Sequence, residues 1–425
     1  MSKDLPTILP SSVNYKESLP TLPEGTQQIN VSANPINGQN FTSGSQIYFD
    51  LLNRGFLVPD SMYIAYNYAC TSAANAELIG CPVYTSFSRL DVQIGSQIVD
   101  SMLNYNVMMN MLTNLTLSVS EKYGLQSSFG YFKDTGVPTL EQLDGRQLTL
   151  NETNDFAGPL PSILSNSEKL IPLFAMPQVR IILTVDSISN MFTSTVVPTG
   201  WTLSNVELRY KVIDMGGNVE EIIRGMGEKI YIKSQSFASS TNPLAAGTAA
   251  GAYDLIYNQR FASVKSIFAI MGGGAAGSNK QYDSFDLTQG TGDYSFSISG
   301  VQYPQRPLSA RVNRSGILQE LRTAVGSIFD KNNSFSINAI EWEYGAGTAS
   351  ASTFSAPGKF YIGTSTEKLN SNSLLTGIST QNSPISFRIN TGVSIGVNAS
   401  TVTVVINYDA LIEVDLVNRQ CSVKA

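Results

Sequence analysis

Two pairs of acidic residues have the spacing that catalysis by carboxylates requires. Glu341 and Glu343 flank Trp342. Glu413 and Asp415 repeat the same spacing near the end of the chain. Residues two apart on a β-strand project from one face, so each pair would lie side by side. Such carboxyl groups suit glycoside hydrolysis or Ca²⁺ binding, and a solvated polar face of a sheet explains them equally well.

A glycine-rich segment, Met271–Ser278, is similar in composition to a phosphate-binding loop. Gly272 and Gly277 have the spacing of the Walker glycines, but that motif needs Lys and then Ser or Thr directly after the last glycine. Ser278 and Asn279 follow instead. The sequence therefore favours an ordinary loop at this position over a nucleotide site.

The residue types most used in catalysis are scarce. The chain has no His, which excludes Ser-His-Asp and Cys-His chemistry and most zinc sites. Cys70, Cys81 and Cys421 are too few and too scattered for a disulfide framework or a cysteine-rich metal cage. We therefore expect buried, reduced thiols, no cofactor, no metal and no enzymatic activity.

Composition and charge narrow the possible partners. Only 14% of the 425 residues are charged, 42% are hydrophobic, and the net charge is −6. An acidic chain of this kind is not expected to bind nucleic acid sequence-specifically or to adsorb to an anionic membrane. We expect no signal peptide, because Met1–Asn30 lacks an apolar core segment. We also expect no membrane-spanning segment, because no run reaches the ~20 apolar residues that are needed.

Short segments with a two-residue hydrophobic alternation dominate the chain, which predicts an all-β protein. Gly, Pro, Asn and Ser separate these segments, as antiparallel strands require. The predicted strands lie around Ile47–Leu51, Met62–Tyr68 and Leu90–Ile94, and then at Arg180–Val185, Val206–Ile213, Glu228–Ser236, Tyr253–Asn258, Val264–Ile270, Tyr294–Ile298, Phe335–Tyr344, Pro384–Thr391 and Thr401–Val417.

Helical periodicity is confined to a few segments. Leu103–Leu115 and Gly316–Ile328 place apolar residues at three- and four-residue steps, and Val219–Arg224 does so more weakly. Four methionines cluster in or near the first helix, which indicates core packing or a subunit contact more than a binding groove. They are Met102, Met108, Met109 and Met111.

The order of these elements repeats along the chain. A strand, a turn containing Gly-x-Gln and a helix occur twice, and Gln302 follows Gln97 by 205 residues. The strand at Val264–Ile270 repeats Met62–Tyr68, and the closing strand at Thr401–Val417 repeats Val206–Ile213. Such constancy of spacing indicates two copies of one β-rich domain.

Each copy is too long for a minimal sandwich of ~100 residues and suits an eight-stranded jelly roll with long loops. The predicted fold is therefore two tandem eight-stranded antiparallel jelly rolls with a few short helices. An extended arm over residues 1–28, with four prolines, precedes a first roll at 29–215 and a second at 219–425.

Short segments within each copy resemble those of the double jelly-roll major capsid proteins of the adenovirus lineage. In the first copy these are Phe56–Ile64, Arg89–Gln97 and the helix opening at Asn104–Asn106. In the second, Gly300–Pro307 is similar to the matching part of the second barrel. Within the lineage, the pattern looks nearest to virophage-like and polinton-like double-stranded DNA viruses.

The resemblance implies a structural protein of the virion, made in the host cytosol. It implies a homotrimer with a pseudo-hexagonal outline that tiles an icosahedral shell. Neighbouring capsomers, penton proteins and minor capsid proteins are the implied partners, and an internal membrane layer stays open. The N-terminal arm would run under the capsomer.

Two other functions are left open by the residues. The first is a tandem β-sandwich protein that binds carbohydrate or a receptor through Trp201, Trp342 and tyrosines, although the two tryptophans do not match at the repeat spacing. The second is a glycoside hydrolase, resting on Glu341 and Glu343 alone. Two small-residue segments, Ser239–Gly251 and Gly345–Gly358, are expected to be loops that contact a host surface or neighbouring capsomers.

Overall fold

The computed structural model describes residues 22–70, 76–131, 145–148, 153–192, 198, 200–225, 227–273, 282, 284–288, 292–326, 335–337, 342–343, 359–368, 375–392, 394 and 400–425. Antiparallel strands predominate in these ranges, as the alternating sequence predicts. No helix among the described residues is long and apolar enough to cross a bilayer.

The described part of the first half of the chain contains thirteen strands, several of them only two residues long. They are β1 (Gln27–Ala33), β2 (Asn40–Phe41), β3 (Gln46–Asp50), β4 (Phe56–Leu57), β5 (Tyr63–Cys70), β6 (Ala76–Ile79), β7 (Phe87–Ile94), β8 (Gln97–Leu103), β9 (Gly145–Leu148), β10 (Thr153–Pro159), β11 (Ile171–Pro172), β12 (Val179–Val185) and β13 (Trp201–Asp214).

Nine strands lie within the described ranges of the second half. They are β14 (Lys229–Leu244), β15 (Gly251–Tyr257), β16 (Val264–Gly273), β17 (Tyr294–Ile298), β18 (Val301–Leu308), β19 (Ile362–Ser365), β20 (Ile385–Thr391), β21 (Ser400–Asp415) and β22 (Gln420–Lys424). The helices are α1 (Pro82–Thr85), α2 (Tyr105–Thr116), α3 (Val119–Gly124), α4 (Gln126–Phe129), α5 (Ile188–Met191), α6 (Gly217–Gly225) and α7 (Arg314–Gly326).

The two halves share one sheet topology. In the first, the sheets run β1-β13-β5-β10 and β3-β12-β7-β8. In the second, they run β14-β21-β16-β19 and β15-β20-β17-β18. Each half is thus an eight-stranded jelly roll of two four-stranded sheets, with the short strands as additions. The predicted tandem repeat is confirmed, and we call the halves the first roll and the second roll.

The repeated turn is a hairpin in both rolls. Gly95 and Ser96 join β7 to β8, and Ser299 and Gly300 join β17 to β18. Each turn therefore leads into a further strand before its helix, which the sequence analysis did not predict. Gly95 has φ +61°, a conformation that a two-residue hairpin turn commonly needs at its first position.

Apolar side chains of the facing sheets form the core. Alternate residues of β5 are buried, and so are alternate residues of β20. Ile64 and Phe387 represent these inward faces, and neither is exposed to solvent. The alternation seen in the sequence is therefore the inside-outside pattern of strands with one buried face.

Two predicted segments differ from the structure. Ser239–Leu244 is not a loop, because β14 continues through it and pairs with β21 along its whole length. The predicted strand Phe335–Tyr344 is also wrong where it is described, since 335–337 is irregular and 342–343 is helical. Glu341, Gly345–Gly358 and most of the arm 1–28 lie outside the described residues.

Candidate assembly interface

Helix α2 lies between the two rolls and is almost fully enclosed. Every residue from Tyr105 to Leu115 is buried. Met108 and Met111 belong to the apolar core, which confirms the core interpretation of the methionine cluster. Burial on all sides distinguishes α2 from an ordinary surface helix, which is apolar along one stripe only.

Three buried asparagines on α2 form hydrogen bonds through their side-chain amides. Asn106 donates its side-chain N–H to Asp186 at 2.6 Å. Asn110 donates to the carbonyl of Tyr282 at 3.1 Å, and Asn114 donates to the hydroxyl of Tyr361 at 3.1 Å. Tyr282 and Tyr361 belong to the second roll, so these bonds fix the helix against it. The four-residue spacing of the asparagines marks one helix face, a signal that the sequence analysis missed.

Strand β8 of the first roll packs beside β14 of the second through buried polar groups. The hydroxyl of Ser236 donates to the Asp100 carboxylate at 2.8 Å, and the backbone N–H of Ile163 donates to it at 3.1 Å. Tyr408 lies 3.4 Å from the same carboxylate. Burial raises the pKa of Asp100 to about 6, although these hydrogen bonds act in the opposite direction.

Further contacts extend this junction along the two strands. The hydroxyl of Ser239 donates to the carbonyl of Leu103, and Asn104 donates to Thr241 at 3.1 Å. Ser234 likewise donates to the carbonyl of Ile163. Where the two rolls pack closely, polar groups of the first roll lose contact with water. Small hydroxyl side chains on β14 form hydrogen bonds with these groups instead.

The second roll has counterparts of β8 and α2, and its helix is much less buried than α2. Strand β18 and helix α7 occupy the topological positions of β8 and α2. Only four residues of α7 are buried, namely Ile317, Leu321, Ala324 and Val325. Along β18, Val301 and the run Gln305–Pro307 are exposed. Among the described residues, no strand pairs with the outer edge of β18.

The first roll also presents an open counterpart to β14. Strand β1 has the topological position of β14 and pairs with β13 alone. Alternate residues of β1 are exposed, including Gln28, Asn30 and Ser32. The chain thus buries one junction between rolls and displays both halves of a second, equivalent junction.

The acidic pair near the end of the chain is held in structural contacts. Glu413 lies 2.6 Å from the ammonium of Lys229 and 2.5 Å from that of Lys424. These bonds lower the pKa of Glu413. Asp415 accepts the backbone N–H groups of the turn after β21, chiefly that of Asn418, which lowers its pKa. Neither carboxyl group is therefore suited to act as a protonated acid near neutral pH.

Of the other acidic pair, only Glu343 is among the described residues, and it does not lie on a strand. Glu343 lies in a helical turn and is exposed, whereas Glu341 is outside the described residues. Among the described residues, no group of three or more acidic or cysteine side chains is placed to hold a metal ion. In the glycine-rich segment, Met271–Gly273 belongs to β16, and the rest of that segment is not described.

The tryptophans and cysteines belong to the interior. Trp201 is buried and stacks on Tyr68, with ring centroids 5.5 Å apart. Trp342 is fully buried and donates its indole N–H to the carbonyl of Tyr361 at 2.9 Å. All three cysteines are free; Cys70 and Cys81 are buried, and Cys421 is half-buried.

Two jelly rolls in tandem, joined through a polar junction and a buried helix, define the double jelly-roll class of proteins. No family model and no curated protein sequence matches the chain. Several solved structures do match the chain, and the three given below each align with nearly its whole length.

The matching structures are viral capsid proteins. The PBCV-1 virus capsid superposes with a TM-score of 0.62 at 10% identity, over 97% of this chain and 99% of that one. The Faustovirus major capsid protein gives 0.62 at 9%, over 96% and 92%. The mavirus major capsid protein gives 0.51 at 11%, over 100% and 96%. The chain therefore has the double jelly-roll fold of these proteins.

Proposed function

We propose that this chain is the major capsid protein of a double-stranded DNA virus with an icosahedral shell. In this role it is a structural protein without enzymatic activity, located in the virion and made in the host cytosol. One observation carries the proposal: helix α7 of the second roll has only four buried residues, whereas its counterpart in the first roll, α2, is almost fully enclosed and bonded to the second roll. The capsid proteins that share the fold support it.

The equivalence of the rolls defines a head-to-tail assembly. If β18 and α7 of one chain pack against β1 of the next, every junction repeats the internal β8–β14 junction. A head-to-tail interface closes into a ring when its rotation permits. Three chains of two rolls give six similar corners, which is a pseudo-hexagonal tile. The division into an arm at 1–28 and rolls at 29–215 and 219–425 is part of this proposal.

The assembly has a definite mass. Three chains of 45.9 kDa form a 137.7 kDa particle, and we expect light scattering on a sizing column to find that species. Replacing Gln305, exposed on β18, with tryptophan is expected to shift the protein to a 45.9 kDa monomer. A bulky ring on this edge would prevent close approach of β1 from the neighbouring chain.

A matched variant tests whether the effect is local. Asp254 is exposed on β15, which lies at the opposite edge of the same sheet. Asp254→Trp should leave the 137.7 kDa species intact. A wild-type monomer at all concentrations would contradict the trimer, and a trimer that survives Gln305→Trp would place the interface elsewhere.

Shell formation requires contacts between capsomers as well as within them. We assign the segment before β1 to contacts beneath the capsomer, with neighbouring capsomers or with penton and minor capsid proteins as partners. Deleting Met1–Glu24 is expected to leave trimers intact and to lower the yield of closed shells in negative-stain images at least tenfold. Shells that form at the wild-type yield would refute this role.

A carbohydrate-binding function has less support. Lectin sites use exposed aromatic rings, whereas Trp201 and Trp342 are both buried and engaged with neighbouring residues. Assembly into capsomers explains why residues of α7 and β18 are exposed, whereas carbohydrate binding does not.

A further inference from the structure

The second roll contains a buried cluster of charged side chains that the proposed function does not use. Lys233 lies on β14, Lys265 on β16 and Asp409 on β21. Glu367 follows β19, and Glu168 reaches the cluster from the first roll. The side chains of Lys265 and Asp409 have no exposed surface, and that of Lys233 is only 11% exposed. Charges this deep need a specific arrangement to be stable.

The two oxygens of Asp409 are in different surroundings. Oδ2 accepts hydrogen bonds from the hydroxyl of Ser263 at 2.8 Å and from the backbone N–H of Thr376 at 3.2 Å. Oδ1 is buried and accepts no hydrogen bond. Burial raises the pKa of this carboxyl group above its usual value, which increases the fraction present as the neutral acid.

The unbonded oxygen faces an amine. Nζ of Lys233 lies 3.9 Å from Oδ1 of Asp409 and 3.5 Å from Oε1 of Glu168. Nζ of Lys233 is therefore close both to a carboxylate that can accept its proton and to a carboxyl group that it can attack, and a neighbouring base is what activates an amine. We propose that Lys233 and Asp409 become joined by an isopeptide bond, which links β14 to β21.

The reaction needs only groups present in the chain. Glu168 accepts a proton from the Lys233 ammonium, and the free amine attacks Cγ of Asp409, which requires an approach to about 3–3.5 Å. Negative charge develops on Oδ2, where Ser263 and Thr376 already donate, as in an oxyanion hole.

The atoms balance without a co-reactant. The Nζ–Cγ bond forms and the Cγ–Oδ1 bond breaks. With Asp409 as the neutral acid, one ammonium proton passes to Glu168, one stays on the amide nitrogen, and one leaves with Oδ1 and the proton of the acid as water. No group is oxidised or reduced.

The intact mass of the purified full-length protein in denaturant decides the proposal. We expect the protein to be lighter than its sequence by one water molecule. Trypsin should fail to cleave after Lys233, and a branched peptide should join Lys233 to Asp409. A wild-type mass equal to that of the sequence would show an ordinary ion pair and overturn the proposal. A branched peptide through Lys265 would overturn the assignment of the lysine.

Three variants probe the chemistry. Asp409→Asn should release ammonia instead of water and arrive at the same final mass as the linked wild-type protein. Lys233→Arg should keep its full mass, while the control Lys265→Arg should still lose water. Glu168→Gln should slow the loss at least tenfold, and a wild-type rate would remove Glu168 as the base. Light scattering confirms that each variant has folded and assembled before its mass is compared.

Discussion

Replacing Asp100 with asparagine is expected to stabilise the folded chain by about 3 kcal/mol at pH 7.5 and to change little below pH 4. Burial raises the pKa of this carboxyl group from 3.8 to about 6 in the folded state, a difference of about two units at 1.36 kcal/mol each. The unfolded chain keeps a pKa near 3.8. Folding therefore opposes ionisation of Asp100.

The sign of the pH dependence follows from proton binding. Between pH 4 and pH 6 the folded state binds more protons than the unfolded state, so this group lowers stability as the pH rises. Well below pH 3.8 both states are protonated and the penalty vanishes. An asparagine does not titrate, and its carbonyl can still accept from Ser236 and Ile163, so the variant escapes the penalty.

Thermal unfolding at one protein concentration, from pH 4 to pH 7.5, measures the effect. The curves for wild type and Asp100→Asn should diverge as the pH rises. Ser236→Ala is the control with the opposite sign, because it removes a donor that stabilises the carboxylate. It should lower stability at pH 7.5 more than at pH 4. Parallel curves for wild type and Asp100→Asn would mean that Asp100 titrates normally.

Strands that bury one face were predictable from the sequence. Tyr294–Ile298 was predicted with its observed bounds, and the predicted helix Leu103–Leu115 lies within two residues of α2. In both, the apolar residues recur with the period of the element, every second residue in the strand and every third or fourth residue in the helix, so the residue types reveal the element directly.

Strands at the junction between the rolls were not predictable in the same way. The end of β14 reads as Ser, Ala, Thr, Asn and Pro, which is typical of a loop. It is a strand because β21 supplies a partner along its whole length and β8 supplies polar groups for its hydroxyls. Strand β18 contains Pro304 and Pro307, which disfavour a strand interior but are tolerated at a sheet edge.

The assembly surface was predictable only in part. The tandem repeat implied two equivalent rolls. Because α2 and α7 are equivalent and α2 is buried against a neighbouring roll, the exposure of α7 indicates where a second neighbouring roll could pack. The residues that form the buried junction, Asp100 and Ser236, are 136 positions apart in the chain. No local sequence pattern shows that these two residues are neighbours, because they meet only when the two rolls pack together.

Replacing Gly130 with alanine is expected to destabilise the chain by about 2–5 kcal/mol, from two separate causes. Gly130 ends α4 with φ +80°, a left-handed conformation that costs other residues about 1–2 kcal/mol. An added Cβ would also lie 2.4 Å from the ring of Phe156. That ring is fully buried and packs edge-on against Tyr66, so moving it would disturb the core of the first roll.

Gly216 separates the two causes because it has the same φ, +80°, with no atom within 4 Å of an added Cβ. Gly216→Ala should therefore cost only the conformational part, about 1–2 kcal/mol. The difference between the variants in chemical denaturation at pH 7.5 then measures the steric part alone. Equal losses would mean that Phe156 moves freely, and the core around it would be less tightly packed than its burial indicates. A larger loss of stability for Gly130→Ala would show that the left-handed residue at the end of α4 is needed for Phe156 to pack in place. Phe156 lies on β10, which pairs with β5 at one edge of the first roll.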